Sequence, residues 1–282
     1  MQNKEIIVIT GASGGIGAAT VKKLASKNRV LLMLDRNREA VEVLAKEIQV
    51  SGNEAEAFIA DLSSPEKARR VATEILEKYG RIDSLILNAG TSNNILFVDT
   101  DMEKVQYELG VNYLAPMTLI QEFLPGMRER KKGKIVAVTS LTSIVPFPGN
   151  STYTASKAAM QAVIRDLRIE LKDSGVDFQS VLPGYTRTSM THGLERPLSR
   201  LSSQAMEPED VAESIVACLK GSGTALVIPG FTNKVVAMLF QLLPTLMEFI
   251  LKRAAERLVP NYAKLMKGAV VRGQEKQGES RL

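Results

Sequence analysis

The chain reads as an α/β protein, a doubly wound, seven-stranded parallel sheet followed by a C-terminal helical extension. Three observations predict this. Short β-branched runs alternate with amphipathic helical patterns over most of the 282 residues, the order that builds parallel sheets. The first run passes directly into a glycine turn and then a helical pattern. After the seventh run the alternation stops, and about fifty residues of a different character remain.

Taken in order, Glu5 to Thr10 is a short β-branched run suited to a strand buried on both faces. Gly11-Ala12-Ser13-Gly14-Gly15-Ile16-Gly17 follows, and a helix runs on to about Lys27. Strand, glycine turn and helix in that order let backbone N–H groups and the positive end of the helix dipole meet a pyrophosphate. Val30 to Leu34 is the second strand, closed by Asp35. A carboxylate there can accept hydrogen bonds from both adenosine ribose hydroxyls and repels a 2′-phosphate, which favours NAD. Arg36 beside it is a good phosphate partner and keeps NADP open.

A helix to about Val50, strand Ala55 to Ile59, Asp61-Leu62, a helix opening near Pro65, and strand Ser84 to Leu87 ending in Asn88-Ala89-Gly90 repeat the pattern. Asp101 to Met127 reads as one long helix carrying Asn112, and Lys134 to Thr139 as a buried strand. A helix from Ser151 to about Lys172, strand Val176 to Leu182 closed by Pro183-Gly184, helix Pro208 to Lys220 and strand Ala225 to Ile228 complete seven strands.

The chemistry centres on Val138 to Lys157, VTSLTSIVPFPGNSTYTASK. Residues four apart share a helix face, which sets the Lys157 ammonium beside the Tyr153 phenol. A neighbouring cation favours phenolate and makes Tyr153 a general acid-base. Ser140, at the end of the preceding strand, can reach the same reacting oxygen. Taken alone, Tyr-x-x-x-Lys is a weak signal.

Composition narrows the rest. One large core and a single domain fit this length, here 1–230, with a helical extension over 231–266 and a disordered basic tail over 267–282. Cys218, the only cysteine, sits in an apolar helical pattern, so no internal disulfide forms and a reducing compartment fits. The chain enters a strand within a few residues, and the expectation is a cytoplasmic protein without a secretory signal. Lys252 to Leu282 holds eight Lys or Arg against three Glu, whereas the first 251 residues carry 28 of each sign. A neutral body argues against nucleic acid as partner and assigns the basic excess to the tail.

Together these motifs resemble the short-chain dehydrogenase/reductase family, in its single-domain branch, over about Lys4 to Gly230. The resemblance rests on Thr10-Gly11-x-x-x-Gly15-Ile16-Gly17, Asp61-Leu62, Asn88-Ala89-Gly90, Asn112, Ser140, Tyr153-x-x-x-Lys157 and Pro183-Gly184. It implies a Rossmann-type sheet and an NAD(P)-dependent oxidoreductase interconverting a secondary alcohol and a ketone. By that likeness Tyr153 exchanges the proton and Ser140 orients the substrate oxygen. Lys157 tunes Tyr153 and holds the nicotinamide ribose, and Asn112 holds a water of the proton relay. Gly11, Ser13, Gly15, Ile16 and Gly17 line the pyrophosphate, Asp61 and Leu62 the adenine, and Asn88, Ala89 and Gly90 the floor beneath the adenosine ribose. Pro183, Gly184 and Thr188 meet the carboxamide end. Val145, Phe147, Met190 and Leu194 fall where the family places substrate walls, favouring a hydrophobic substrate such as a steroid, retinoid, acyl or polyketide ketone. His192 lies in the substrate-covering segment and is read as a surface or loop residue. Assembly as a homodimer or homotetramer is expected. No metal is implied.

The tail departs from the family. Val235 to Leu251 is apolar but short for a membrane span and carries Pro244 and Glu248. It reads as two short helices, the second with an apolar stripe of Met247, Ile250, Leu251, Ala254 and Leu258. That stripe has two possible homes: a lipid interface, giving peripheral membrane contact through 235–258, or protein, over the substrate cleft or a sister subunit. A rival reading of the whole chain is a non-catalytic, redox-sensing dinucleotide-binding module docked through this tail.

Overall fold

The structure, a computed structural model, describes residues 4–95, 97–191, 205–221 and 224–258. Seven strands form one parallel sheet: β1 Glu5–Thr10, β2 Arg29–Asp35, β3 Glu54–Ile59, β4 Ser84–Leu87, β5 Gly133–Val138, β6 Val176–Val181 and β7 Leu226–Val227. Their order is β3-β2-β1-β4-β5-β6-β7. All seven strands expected from the sequence are present, with ends shifted by one residue, where fraying always makes boundaries soft.

The continuous apolar runs are explained by two helical layers. Side chains alternate across β1, so Ile6 and Val8 enter a core with α3 (Pro65–Tyr79), α5 (Ala115–Glu129) and α6 (Ser151–Glu170). Ile7 and Ile9 point the other way, into a core with α1 (Gly15–Leu24), α2 (Arg38–Val50) and α7 (Pro208–Lys220). Cys218 lies buried in that second core, and burial pushes its thiol up to about 11. Local chemistry starts and stops the helices: Ser64 caps α3 ahead of Pro65, and Gly80 ends it at φ 73°. Glu207 and Asp210 form a reciprocal capping box at α7.

Two expectations need correction. The helix from Asp101 to Met127 is not continuous, because α4 (Met102–Leu109) passes through a π turn at Gly110–Leu114 into α5. The cause is visible in the residues: Pro116 has no N–H to give the Asn112 carbonyl four positions back, and a Cβ on Gly110 would stand 2.3 Å from the Ser63 carbonyl oxygen. The first helix also ends at Leu24 instead of about Lys27.

After β7 come α8 (Phe231–Leu242) and α9 (Pro244–Leu258), the two helices expected in the extension, with Pro244 opening the second. They meet at 117°, and among the described residues no single helix is long and apolar enough to cross a membrane. The side chain of Asn233 anchors α8 by donating to the Pro229 carbonyl (2.9 Å) and lies against Gly184, where a Cβ would come within 2.6 Å of it.

Candidate active site

The strand order reverses between β1 and β4, and the carboxyl ends of these strands open the crevice where such sheets bind ligands. Thr10 and Asn88 lock that point. The Thr10 hydroxyl accepts from the N–H groups of Asn88 (3.0 Å) and Ala89 (2.9 Å), and Asn88 Nδ2 donates to the carbonyls of Thr10 and Gly11. Asn88 thus ties the two strand ends together. The glycine turn packs tightly, since a Cβ on Gly17 would stand 2.1 Å from the Gly11 carbonyl oxygen.

A cleft runs from this turn along Asp35, Arg36, Asp61, Leu62 and Gly90 to Lys157 and Thr188. Every residue expected to hold the dinucleotide lines it except Gly17, which lies behind the turn. The Asp35 carboxylate accepts from the N–H groups of Ser13 (2.9 Å) and Asn37 (3.0 Å), so it also braces the glycine turn. Arg36 donates to the Tyr107 hydroxyl at 2.6 Å. Asp61 accepts from Lys67 and Ser63, and the Lys67 ammonium beside it holds its carboxyl below the usual range.

Beyond β5, the Leu141 N–H donates to the Pro183 carbonyl, holding the Ser140 loop against the end of β6. The Ser140 Oγ accepts from the N–H of Thr142 (3.2 Å) and from its hydroxyl (3.0 Å). On α6, Lys157 Nζ lies 5.8 Å from the Tyr153 ring centre and donates to the Val138 carbonyl at 3.0 Å. This ammonium is buried, and desolvation brings it down to about 8 despite the opposing charge of Glu108. Gly90 makes room for it: a Cβ there would lie 3.2 Å from Nζ and 3.4 Å from Asn112 Oδ1.

Asn112 is more committed than a water-holding role suggests. Its Oδ1 accepts from the Thr91 N–H, and its two Nδ2 hydrogens go to the Thr91 carbonyl and the Ser156 hydroxyl. The side chain therefore clamps the loop after β4 to α6. Glu108 was not anticipated. It is completely buried, and its carboxylate accepts from the Thr152 hydroxyl (2.5 Å) and from the N–H and Nδ2 of Asn93. Its spacing of four from Asn112 on an expected helix was the available signal.

A second, apolar cavity of about 240 Å³ joins the cleft at Ser140 and Tyr153, which line both. Its walls include Val145, Phe147 and Met190, as expected, and also Val236 and Phe240 of α8 and Met247, Ile250 and Leu251 of α9. Met247, Ile250 and Leu251 of the expected stripe therefore face this cavity. Leu194 and His192 lie outside the described residues.

The sequence profile of the short chain dehydrogenases matches residues 5–198. This chain belongs to that family. It is 34% identical over 190 residues, 66% of its length, to dehydrogenase/reductase SDR family member 7B of Mus musculus, and spans 59% of that relative. With the 3-oxoacyl-[acyl-carrier-protein] reductase FabG of Thermotoga maritima it shares 30% over 218 residues, covering 75% of this chain and 89% of the reductase. A short-chain dehydrogenase from Sphingobium yanoikuyae in complex with NADPH superposes with a TM-score of 0.73 at 27% identity, covering 88% of this chain and 95% of that one. The bulky-bulky ketone specific alcohol dehydrogenase from Comamonas testosteroni gives 0.73 at 26%, covering 87% and 94%. The family is one of NAD(P)-dependent oxidoreductases.

Proposed function

We propose that this short-chain dehydrogenase interconverts a secondary alcohol and a ketone on an apolar substrate, with the Tyr153 hydroxyl exchanging the proton at the substrate oxygen. The observation that carries the reading is the junction, at Ser140 and Tyr153 and beside a buried ammonium, of an apolar cavity with a cleft that mixes polar and apolar walls. The cleft fits a dinucleotide: Gly11, Ser13, Gly15 and Ile16 line it where α1 begins, and the first N–H groups of that helix have no partner within it. Leu62 and Asp61 would flank the adenine, Ala89 and Gly90 the ribose, and Pro183, Gly184 and Thr188 the nicotinamide end. When bound, the dinucleotide supplies or accepts hydride.

The chain's own part is protonic and positional. The Ser140 hydroxyl donates to the substrate oxygen, and the Tyr153 hydroxyl gives its proton in ketone reduction and recovers it in alcohol oxidation. Lys157 keeps its charge below pH of about 8 and so favours the ionised phenol left behind. Asn112 holds the loop and helix that position both. Steroid-, retinoid- or acyl-like ketones fit the apolar walls, in keeping with the ketone specificity named for the Comamonas relative.

The test is dinucleotide oxidation across a panel of apolar ketones with NADH and NADPH, using Tyr153→Phe as control. That variant is expected to lower kcat by at least about 10²-fold with little change in cofactor affinity; near-normal turnover would remove Tyr153 from the mechanism. The same panel addresses cofactor choice, where Asp35 supports NAD. Asp35→Ala should weaken NADH and favour NADPH relative to it, since a repulsive charge goes while Arg36 stays. Unchanged discrimination would assign the carboxylate to bracing the turn alone.

A further inference from the structure

The α8–α9 pair is apolar on two sides. Its inner side walls the cavity through Phe240, Met247 and Leu251. Its outer side exposes Phe231 (81%), Met238, Leu242 (68%), Leu246 and Phe249 to solvent. Buried and exposed apolar rows on one helix pair are not what a protein-packed extension needs, and several large apolar side chains exposed on two successive helices mark an interaction surface. We propose that this outer face rests on an anionic lipid surface.

Charge complementarity selects the partner. Lys234, Lys252 and Arg253 are exposed on the same two helices, and Arg253 lies 4.5 Å over the Phe249 ring, its guanidinium beside the apolar row. The only acid on the pair before residue 254 is Glu248, and the sequence that follows Arg253 carries a further six Lys or Arg against three Glu. Shape agrees: two short helices bent by 117° suit lying along an interface and not crossing it.

Ile250 and Met190 line the cavity and remain 43% and 41% exposed, so they stand at its rim. Docking on the outer face would bring that rim to the lipid, from which a membrane-dissolved ketone or alcohol could be taken. This last consequence rests on the proposed function, whereas docking itself does not.

The experiment uses the full chain with phosphatidylcholine vesicles, with and without phosphatidylserine, read by co-sedimentation and by analytical ultracentrifugation without lipid. Binding should require phosphatidylserine and weaken as salt rises past about 0.1 M, where charges farther than about 10 Å are screened. The double variant Leu246→Glu, Phe249→Glu touches no cavity residue; it should bind vesicles roughly tenfold or more weakly while retaining dinucleotide affinity and turnover of a water-soluble ketone. Lys252→Glu with Arg253→Glu should abolish the phosphatidylserine requirement's gain and serves if the first pair misfolds. Full chain absent from the phosphatidylserine pellet at every salt overturns docking. So does binding that ignores both phosphatidylserine and the variants. Dissociation of a dimer by the first variant, without vesicle binding by the parent, would assign the face to a second copy and overturn the proposal as well. Because vesicle binding is read without turnover, these failures are distinguishable from failure of the oxidoreductase reading.

Discussion

The two cavities that meet at Tyr153 are built by different physics. In the cleft, the positions of the groups follow from backbone geometry: Asn88 holds two carbonyls, Asp35 two N–H groups, and Gly17 sits where any side chain would strike the Gly11 carbonyl. In the apolar cavity, Val236, Phe240, Met247 and Leu251 contribute surface without directional bonds. Directional sites tolerate few residue types. Apolar walls tolerate many, provided volume is kept. The cleft is therefore the half that accepts few substitutions, and the cavity is where specificity can vary at low structural cost.

That contrast is sharpest at Gly17. Gly17→Ala would add a Cβ 2.1 Å from a backbone oxygen and 2.9 Å from the Ala12 Cα, neither of which can rotate away. We expect a loss of about 3 kcal/mol in stability, the upper end of overpacking costs, and a fall of roughly tenfold or more in NAD(P)H affinity. Denaturant melts and a fluorescence titration check both; a neutral result would break the view of the cleft as rigidly prescribed.

Met247→Ala probes the other side. Removing part of one wall should cost about 1 kcal/mol of substrate binding, roughly fivefold in kcat/KM for a ketone long enough to reach α9. Dinucleotide affinity should not move. If short and long ketones lose equally, the cavity does not hold the substrate chain.

The smallest expected effect tests the buried carboxylate between the halves. Glu108 raises the Lys157 pKa against the larger effect of desolvation, which brings it down to about 8. Glu108→Gln removes that support, so the alkaline limb of kcat/KM for ketone reduction should shift to lower pH, with less than about threefold change at pH 7. An unmoved limb would leave Glu108 as a brace for Thr152 and Asn93 only. The depressed Lys157 also has a stability sign. Between pH of about 8 and its ordinary 10.5 the folded chain holds a neutral Lys157 while the unfolded chain binds a proton, so this residue's contribution to stability rises with pH across that window.

The same contrast explains what the sequence disclosed. Strands β1, β2 and β4 were legible because a strand buried on both faces is apolar almost throughout, and the glycine turn because a tight turn demands glycine at set spacings. The break at Gly110–Leu114 was written in Pro116, four after Asn112, but helical periodicity carries across a single π turn and masked it. Glu108 escaped because a carboxylate in a helical pattern is ordinarily solvated, and its burial comes from Asn93 and Thr152, distant in sequence. The stripe Met247, Ile250, Leu251 was readable as apolar; whether it faced a cavity, a subunit or lipid was not, since periodicity describes a face and not its partner.

One feature of α6 reaches beyond the static picture. Tyr153, Ser156 and Lys157 ride on a single 20-residue helix whose inner face is fastened to Asn112 and to the Val138 carbonyl. Their mutual spacing is thus that of a stiff rod, whereas α8 and α9 follow the last strand, with Asn233 against Gly184 and with Ala237 and Phe240 buried. A displacement of the extension would leave the rod's spacing intact, because no residue of α8 or α9 belongs to it. A side chain at Gly230, which holds φ 81°, would then strain the entry to the extension without touching the groups that carry the proton.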